Sequence, residues 1–171
     1  MCIRDRANTI GNLLNRTSSM SRKWFKNKVP NKVKISKENK LENYAKITVK
    51  NYINNFNVYK LDLAANEVLS LAINTNLYLN DNQPWLLIKD KDNLPLVKQI
   101  IYNVLESTRI IGLLLIPLLP ELSTKINEQL GSIYREEIPW KQQLSWGLLV
   151  SNSILPKPTP IINKLEYEQH L

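Results

Sequence analysis

The stretch "LPLVKQIIYNVLESTRIIGLLLIPLL", Leu94 to Leu119, decides the fold. Val97, Ile100, Ile101, Val104, Leu105, Thr108 and Ile111 recur at steps of three and four, the period of an α-helix. Leu94 or Pro95 opens that helix, because the fixed φ of proline suits a first turn. Toward its end the pattern becomes apolar on every side, as expected of a helix surrounded by others. The run Ile110 to Leu119 is too short to cross a bilayer and is broken by Pro117. It therefore reads as the buried centre of a helical bundle. Pro117 and Pro120 end it and open a further helix, Glu121 to Leu130, closed by Gly131.

Working outward toward the N-terminus, Val58 to Asp81 carries Leu61, Ala65, Val68, Leu69, Ala72, Ile73, Asn76 and Leu79 at helical spacing. About Glu38 to Phe56 does the same through Leu41, Tyr44, Ala45, Thr48, Tyr52 and Phe56, and "NNFN" reads as the connection between the two. Lys26 to Asn39, "KNKVPNKVKISKEN", reads as an exposed basic loop. Before it, Ile10, Leu13, Leu14, Thr17, Met20 and Trp24 form the apolar stripe of another helix. Beyond Gly131, bulky residues alternate with proline, so residues 132–171 are expected to lie along the bundle as an extended strap, with Trp140 and Trp146 capping the core. The expectation is an all-α antiparallel bundle of about five helices over residues 7–131, with that strap following. The first six residues, "MCIRDR", resemble an artefact of assembled environmental reads; they are expected to be non-native, with the native upstream sequence missing.

The chain has 171 residues, 43% of them hydrophobic, and only four glycines, which disfavours a turn-rich β architecture. Its net charge of +8 is unevenly placed. Residues 1–60 hold 14 Lys or Arg against 3 Asp or Glu, and residues 61–171 hold 9 against 12. A basic patch of this kind suits a partner with a phosphate backbone. Cys2 is the only cysteine and His170 the only histidine, so neither a disulfide framework, a Ser/His/Asp triad nor a His-based metal site can be assembled. No catalytic or metal-binding residue is expected. With no signal peptide and no membrane span, the expected compartment is the cytoplasm.

Two constellations carry chemistry. On the first helix Asn8, Asn12, Asn15, Arg16, Ser19 and Lys23 fall within a narrow arc opposite the apolar stripe. Asn is a mediocre helix former, and its amide, like the fork of Arg, suits base edges and phosphates. The second is "YLNDNQPWLLIKD", Tyr78 to Asp90, where Trp85 follows proline at a helix junction. An aromatic platform for an unstacked base, joined to amide and guanidinium donors, is the combination used to read single-stranded RNA. Asn12, Arg16 and Trp85 supply those parts, and spacing alone does not say whether they converge. A core position for Trp85, and an Asn-rich face that merely reflects an AT-rich genome on a structural, protein-binding helical module, are the alternatives.

"ANTIGNLLNR" followed about seventy residues later by "YLNDNQPWLLIKD" resembles the C-terminal anticodon-binding domain of methionyl-tRNA synthetase, a class I aminoacyl-tRNA synthetase of bacterial type. "LSWGLL" and "PKPTPIINKLE" are similar to the close of that domain. The resemblance covers Ala7 to about Glu166. It implies that Asn12, Arg16 and Trp85 recognise the methionine anticodon, with Trp85 stacked on its first base, a cytosine, and Asn12 and Arg16 on base edges and backbone. Asn8, Lys23 and Lys89 are further possible RNA contacts, and Lys26, Lys28, Lys32 and Lys34 possible phosphate contacts. It implies a methionine-tRNA ligase that uses ATP and Mg2+, whose catalytic domain lies upstream in cis; no cofactor is expected in this piece, which would bind tRNA without forming the aminoacyl-adenylate. The helical anticodon domain of the cysteine, valine or isoleucine enzyme is the rival within the same class.

Overall fold

A computed structural model describes residues 3–33, 39–132, 134–157 and 159, with the side chains of its first helix described from Thr9 onward. The long helices are α1 (Ile3–Phe25), α2 (Lys40–Asn57), α3 (Leu61–Asn82), α5 (Leu94–Leu115) and α6 (Pro120–Gln129). Two single turns, α4 (Pro84–Leu87) and α7 (Trp140–Gln143), and a 3-10 turn at Lys91–Asn93 complete the order. Among the described residues there is no strand, only an isolated antiparallel bridge between Lys28 and Ile154. The all-α bundle with five long helices is as the periodicity indicates.

α5 is the axis of the molecule. It packs against α1, α2, α3 and α6, and every residue from Ile100 to Leu115 is buried. A helix buried all round must satisfy its polar side chains internally. Ser107 shares a hydrogen bond with Thr75 of α3 at 2.7 Å, and Asn103 donates to Tyr78 of α3 at 3.1 Å. Asn103 also exchanges hydrogen bonds with Asn39, the N-cap of α2, whose Oδ1 accepts from the Glu42 N–H at 3.3 Å. Gly112 lets α6 approach: a Cβ there would stand 2.9 Å from Asn127 Oδ1, and Ser123 donates to the Gly112 carbonyl at 2.7 Å. Gly131, with φ +61°, supplies the left-handed residue just beyond α6.

Two sequence expectations are corrected. "NNFN" is not the α2–α3 connection, because α2 continues through Asn57; the chain reverses at Val58–Lys60, where Tyr59 takes a φ of 59°. The buried stripe of α3 is also rotated from the one expected. Ala64, Val68, Leu71, Ala72, Thr75 and Leu79 face inward, while Leu61 and Ile73 are 47% and 42% exposed. Leucines lie on several sides of α3, so period alone does not choose the face; the Thr75–Ser107 bond to α5 lies on the face that is buried.

The chain after Gly131 lies against α5, although it is not extended throughout, since it includes α7 and further turns. The Glu106 carboxylate, with no exposed surface, accepts backbone N–H groups of Gly147, Leu148 and Leu149 at 2.7, 3.1 and 2.9 Å. Arg109 binds the same carboxylate through Nε and Nη2 at 3.0 and 2.6 Å, and donates to the carbonyls of Gln143 and Ser145. Trp140 donates to the Leu113 carbonyl at 3.0 Å, and both Trp140 and Trp146 pack on the core as expected. Among the described residues no helix is long and apolar enough to cross a membrane.

Candidate nucleic-acid interface

The amide-rich side of α1 faces solvent. Asn12, Asn15, Arg16, Ser19 and Lys23 are exposed, opposite the buried Ile10, Leu13, Leu14 and Thr17. α3 packs beside α1, and Asn76 donates to the Thr9 carbonyl at 3.4 Å. One turn further along α3, Asn80 Oδ1 accepts from Arg16 Nη2 at 2.9 Å. The guanidinium is thus held from α3 while its carrier is α1.

α3 ends where Gln83 turns left-handed, with φ 43° and ψ 56°. That turn sends Pro84 into the bundle, buried at the first position of α4, and leaves Trp85 at 36% exposure. The Trp85 ring meets Arg16, whose Cζ lies over it, 5.8 Å from the centroid. This is within reach of a cation–π contact. Two residues sixty-nine positions apart therefore form one half-open surface, a positive planar fork against an indole, with Asn80 fixing the fork from the side.

Asn12 stands exposed one turn before Arg16 on the same ridge. Lys23 lies on that ridge two turns beyond Arg16, and Lys89 is exposed four residues after Trp85, so neither is part of the Arg16–Trp85 contact itself. Asn8 belongs to α1, but its side chain is outside the described residues, as is Lys34. Lys26, Lys28 and Lys32 are exposed. Ion pairs among the described residues are Lys46–Glu42 and Arg109–Glu106, so no described carboxylate pairs with Arg16 or Lys23. A guanidinium with no described carboxylate partner, beside an aromatic platform, suits an anionic ligand with flat rings.

Asn80 is the contributor that sequence reasoning did not single out. It sits within "YLNDNQPW" four residues after Asn76, and that pairing at helical spacing on a helix bordering α1 is the only trace it leaves in the sequence.

The family model for the anticodon binding domain of methionyl tRNA ligase matches residues 29–170. A methionine–tRNA ligase of Nostoc sp. is 32% identical over 98% of this chain and 33% of its own length, and one of Synechocystis sp. is 33% identical over 95% of this chain and 32% of its own. The free-state methionyl-tRNA synthetase of Mycobacterium tuberculosis superposes with a TM-score of 0.78 at 25% identity, covering 95% of this chain and 33% of that one. The chain spans about a third of the length of these relatives and matches the anticodon-binding part of them.

Proposed function

Because the chain belongs to the family of anticodon-binding domains of methionyl-tRNA ligase, we propose that it recognises the anticodon loop of the methionine tRNA, through Arg16, Trp85 and Asn12. The observation that supports this reading is the meeting of Arg16 and Trp85 on an open surface, with no acidic partner for the arginine among the described residues. Arg16 covers part of the indole. An unstacked base arriving on Trp85 displaces that cover and gains a stacking surface, and the freed fork turns to the base edge or the adjoining phosphate. Asn12, one turn away, supplies a donor and an acceptor at once. Asn80 keeps the fork near the platform before binding, which reduces the ordering that recognition requires.

In this proposal the chain is the selecting part of a longer cytoplasmic methionine–tRNA ligase. Activation of methionine with ATP and Mg2+ would belong to the catalytic part, in cis, and the chain alone would not catalyse it.

The test is a titration of tryptophan fluorescence with an RNA hairpin bearing the methionine anticodon. Quenching that is reduced in Trp85→Phe, and an affinity that falls when the first anticodon base is changed from cytosine, are expected. Quenching indifferent to that base would point to a protein-binding module or to an anticodon domain of another specificity.

A further inference from the structure

A second basic feature lies apart from the Arg16–Trp85 surface: a cleft of about 330 Å3 where the end of α1 meets the start of α5 and the tail. Trp24, Phe25, Lys26, Lys28, Lys98 and Asn152 line it. The backbone turns left-handed at Lys26 and Asn27, with φ of 54° and 60°, and so folds the lysine-bearing loop back over the helix end. The loop is then fastened to the tail. Val29 donates to the Ser153 carbonyl and accepts from the Asn152 N–H, both at 2.9 Å, and Leu155 donates to the Asn27 carbonyl at 2.7 Å.

Three lysines thus line one opening. None of Lys26, Lys28 and Lys98 forms an ion pair among the described residues, which leaves their charges available to an anion. Trp24 and Phe25 are half-buried and supply aromatic walls. The volume is at the low end for ligand pockets, enough for one nucleotide and too small for a duplex. Its position relates it to the first surface through both of its principal walls. α1 carries Arg16 and Trp24, eight residues or about 12 Å apart along its axis, with Lys23 on the ridge between them. The segment that carries Trp85 continues through the 3-10 turn to Leu94 and Lys98.

We propose that this cleft is a second nucleotide subsite for the same RNA strand, which seats a phosphate among Lys26, Lys28 and Lys98 and lays the adjoining unstacked base against Trp24. The assignment rests on the anticodon reading above. A strand whose first anticodon base occupies Trp85 would pass the Lys23 ridge and continue around the end of α1, placing a more distant nucleotide of the loop here. Asn152 adds an amide from the tail, which makes the tail a wall of the subsite as well as a cover for α5.

The experiment measures binding of the methionine-anticodon hairpin to the full chain by anisotropy across a salt series. The triple variant Lys26→Gln, Lys28→Gln, Lys98→Gln is compared with a control of equal charge loss elsewhere, Lys60→Gln, Lys125→Gln, Lys141→Gln. The cleft variant is expected to lose at least about tenfold in affinity, with the slope of log K against log salt reduced by about 0.7 for each phosphate contact removed. The control is expected to stay within about twofold. Trp24→Leu should weaken binding and Trp24→Phe retain it, with unchanged helical circular dichroism in both. Equal losses in the two triple variants, or no loss in the cleft variant, would overturn the subsite while leaving the anticodon reading intact. Absence of hairpin binding by the unaltered chain would overturn both.

Discussion

Trp85 and Arg16 depend on each other's placement, and their substitutions separate packing from recognition. With 36% of its surface open and its proline neighbour carrying the burial, Trp85 contributes little to the core. Trp85→Ala is expected to weaken hairpin affinity by about 1–3 kcal/mol while leaving the helical circular dichroism unchanged. Asn80→Ala removes a hydrogen bond at the edge of the surface and no packing. It should lower discrimination at the first anticodon base several-fold while the salt slope of binding stays the same, since no phosphate contact is lost; parallel titrations with the four base variants would read this. Tyr52 gives a prediction of a different kind. Its hydroxyl is buried with no hydrogen-bond partner among the described residues, and burial pushes its pKa from 10 up to about 12. Between those values the folded chain keeps a proton that the unfolded chain has released, so stability present below pH 10 declines as pH rises toward 12. Tyr52→Phe should flatten this part of the decline and be neutral or slightly stabilising at pH 7, as thermal melts at pH 7, 9 and 11 would show. Trp85 stood out in the sequence because proline precedes it at a junction, but spacing left its exposure open. The hold of Asn80 on Arg16 was not legible there, because it depends on how α3 lies beside α1, and spacing within a helix carries no information about that.

At the scale of the element, α5 shows both what periodicity reveals and what it hides. Its boundaries and central position follow from a hydrophobic pattern that closes around the helix. Glu106 and Arg109, three apart within that pattern, are buried, and beyond each other their partners are backbone groups some thirty-five to forty residues further on, which no local reading contains. Glu106→Gln preserves shape but withdraws the charge that Arg109 and three N–H groups share. An uncompensated buried guanidinium is expected to cost about 3–5 kcal/mol, seen as a lower urea midpoint at an unchanged m-value. The misread face of α3 has a related cause: leucines such as Leu63 and Leu77 are left exposed, so the helix offers more than one plausible stripe until a polar bond to α5 picks one.

At the scale of the whole molecule, the periodic helices end at α6, yet the core is not closed there. A boundary at Gly131 follows from the loss of helical pattern, and by that criterion residues 7–131 would stand alone. The contacts argue otherwise. Among the described residues the tail supplies all three backbone N–H donors to Glu106, both carbonyls that accept from Arg109, and the Leu149 carbonyl that accepts from the Tyr102 hydroxyl at 3.0 Å. Burial under this cover, together with the nearby Glu106 carboxylate, pushes the Tyr102 hydroxyl pKa upward. Removing the tail would therefore open an ion pair, a tyrosine and the flank of α5 in one step. A chain ending at Gly131 is expected to lose cooperative thermal unfolding and to expose the amides of α5 to hydrogen exchange, and the untruncated Glu106→Gln variant should keep a single, lower transition. If the shortened chain instead melted as sharply as the full one, the bundle would be self-sufficient and the tail a surface attachment. The same truncation would remove Asn152 and the anchor of the lysine loop; under the proposed second subsite, RNA affinity should then fall along with stability.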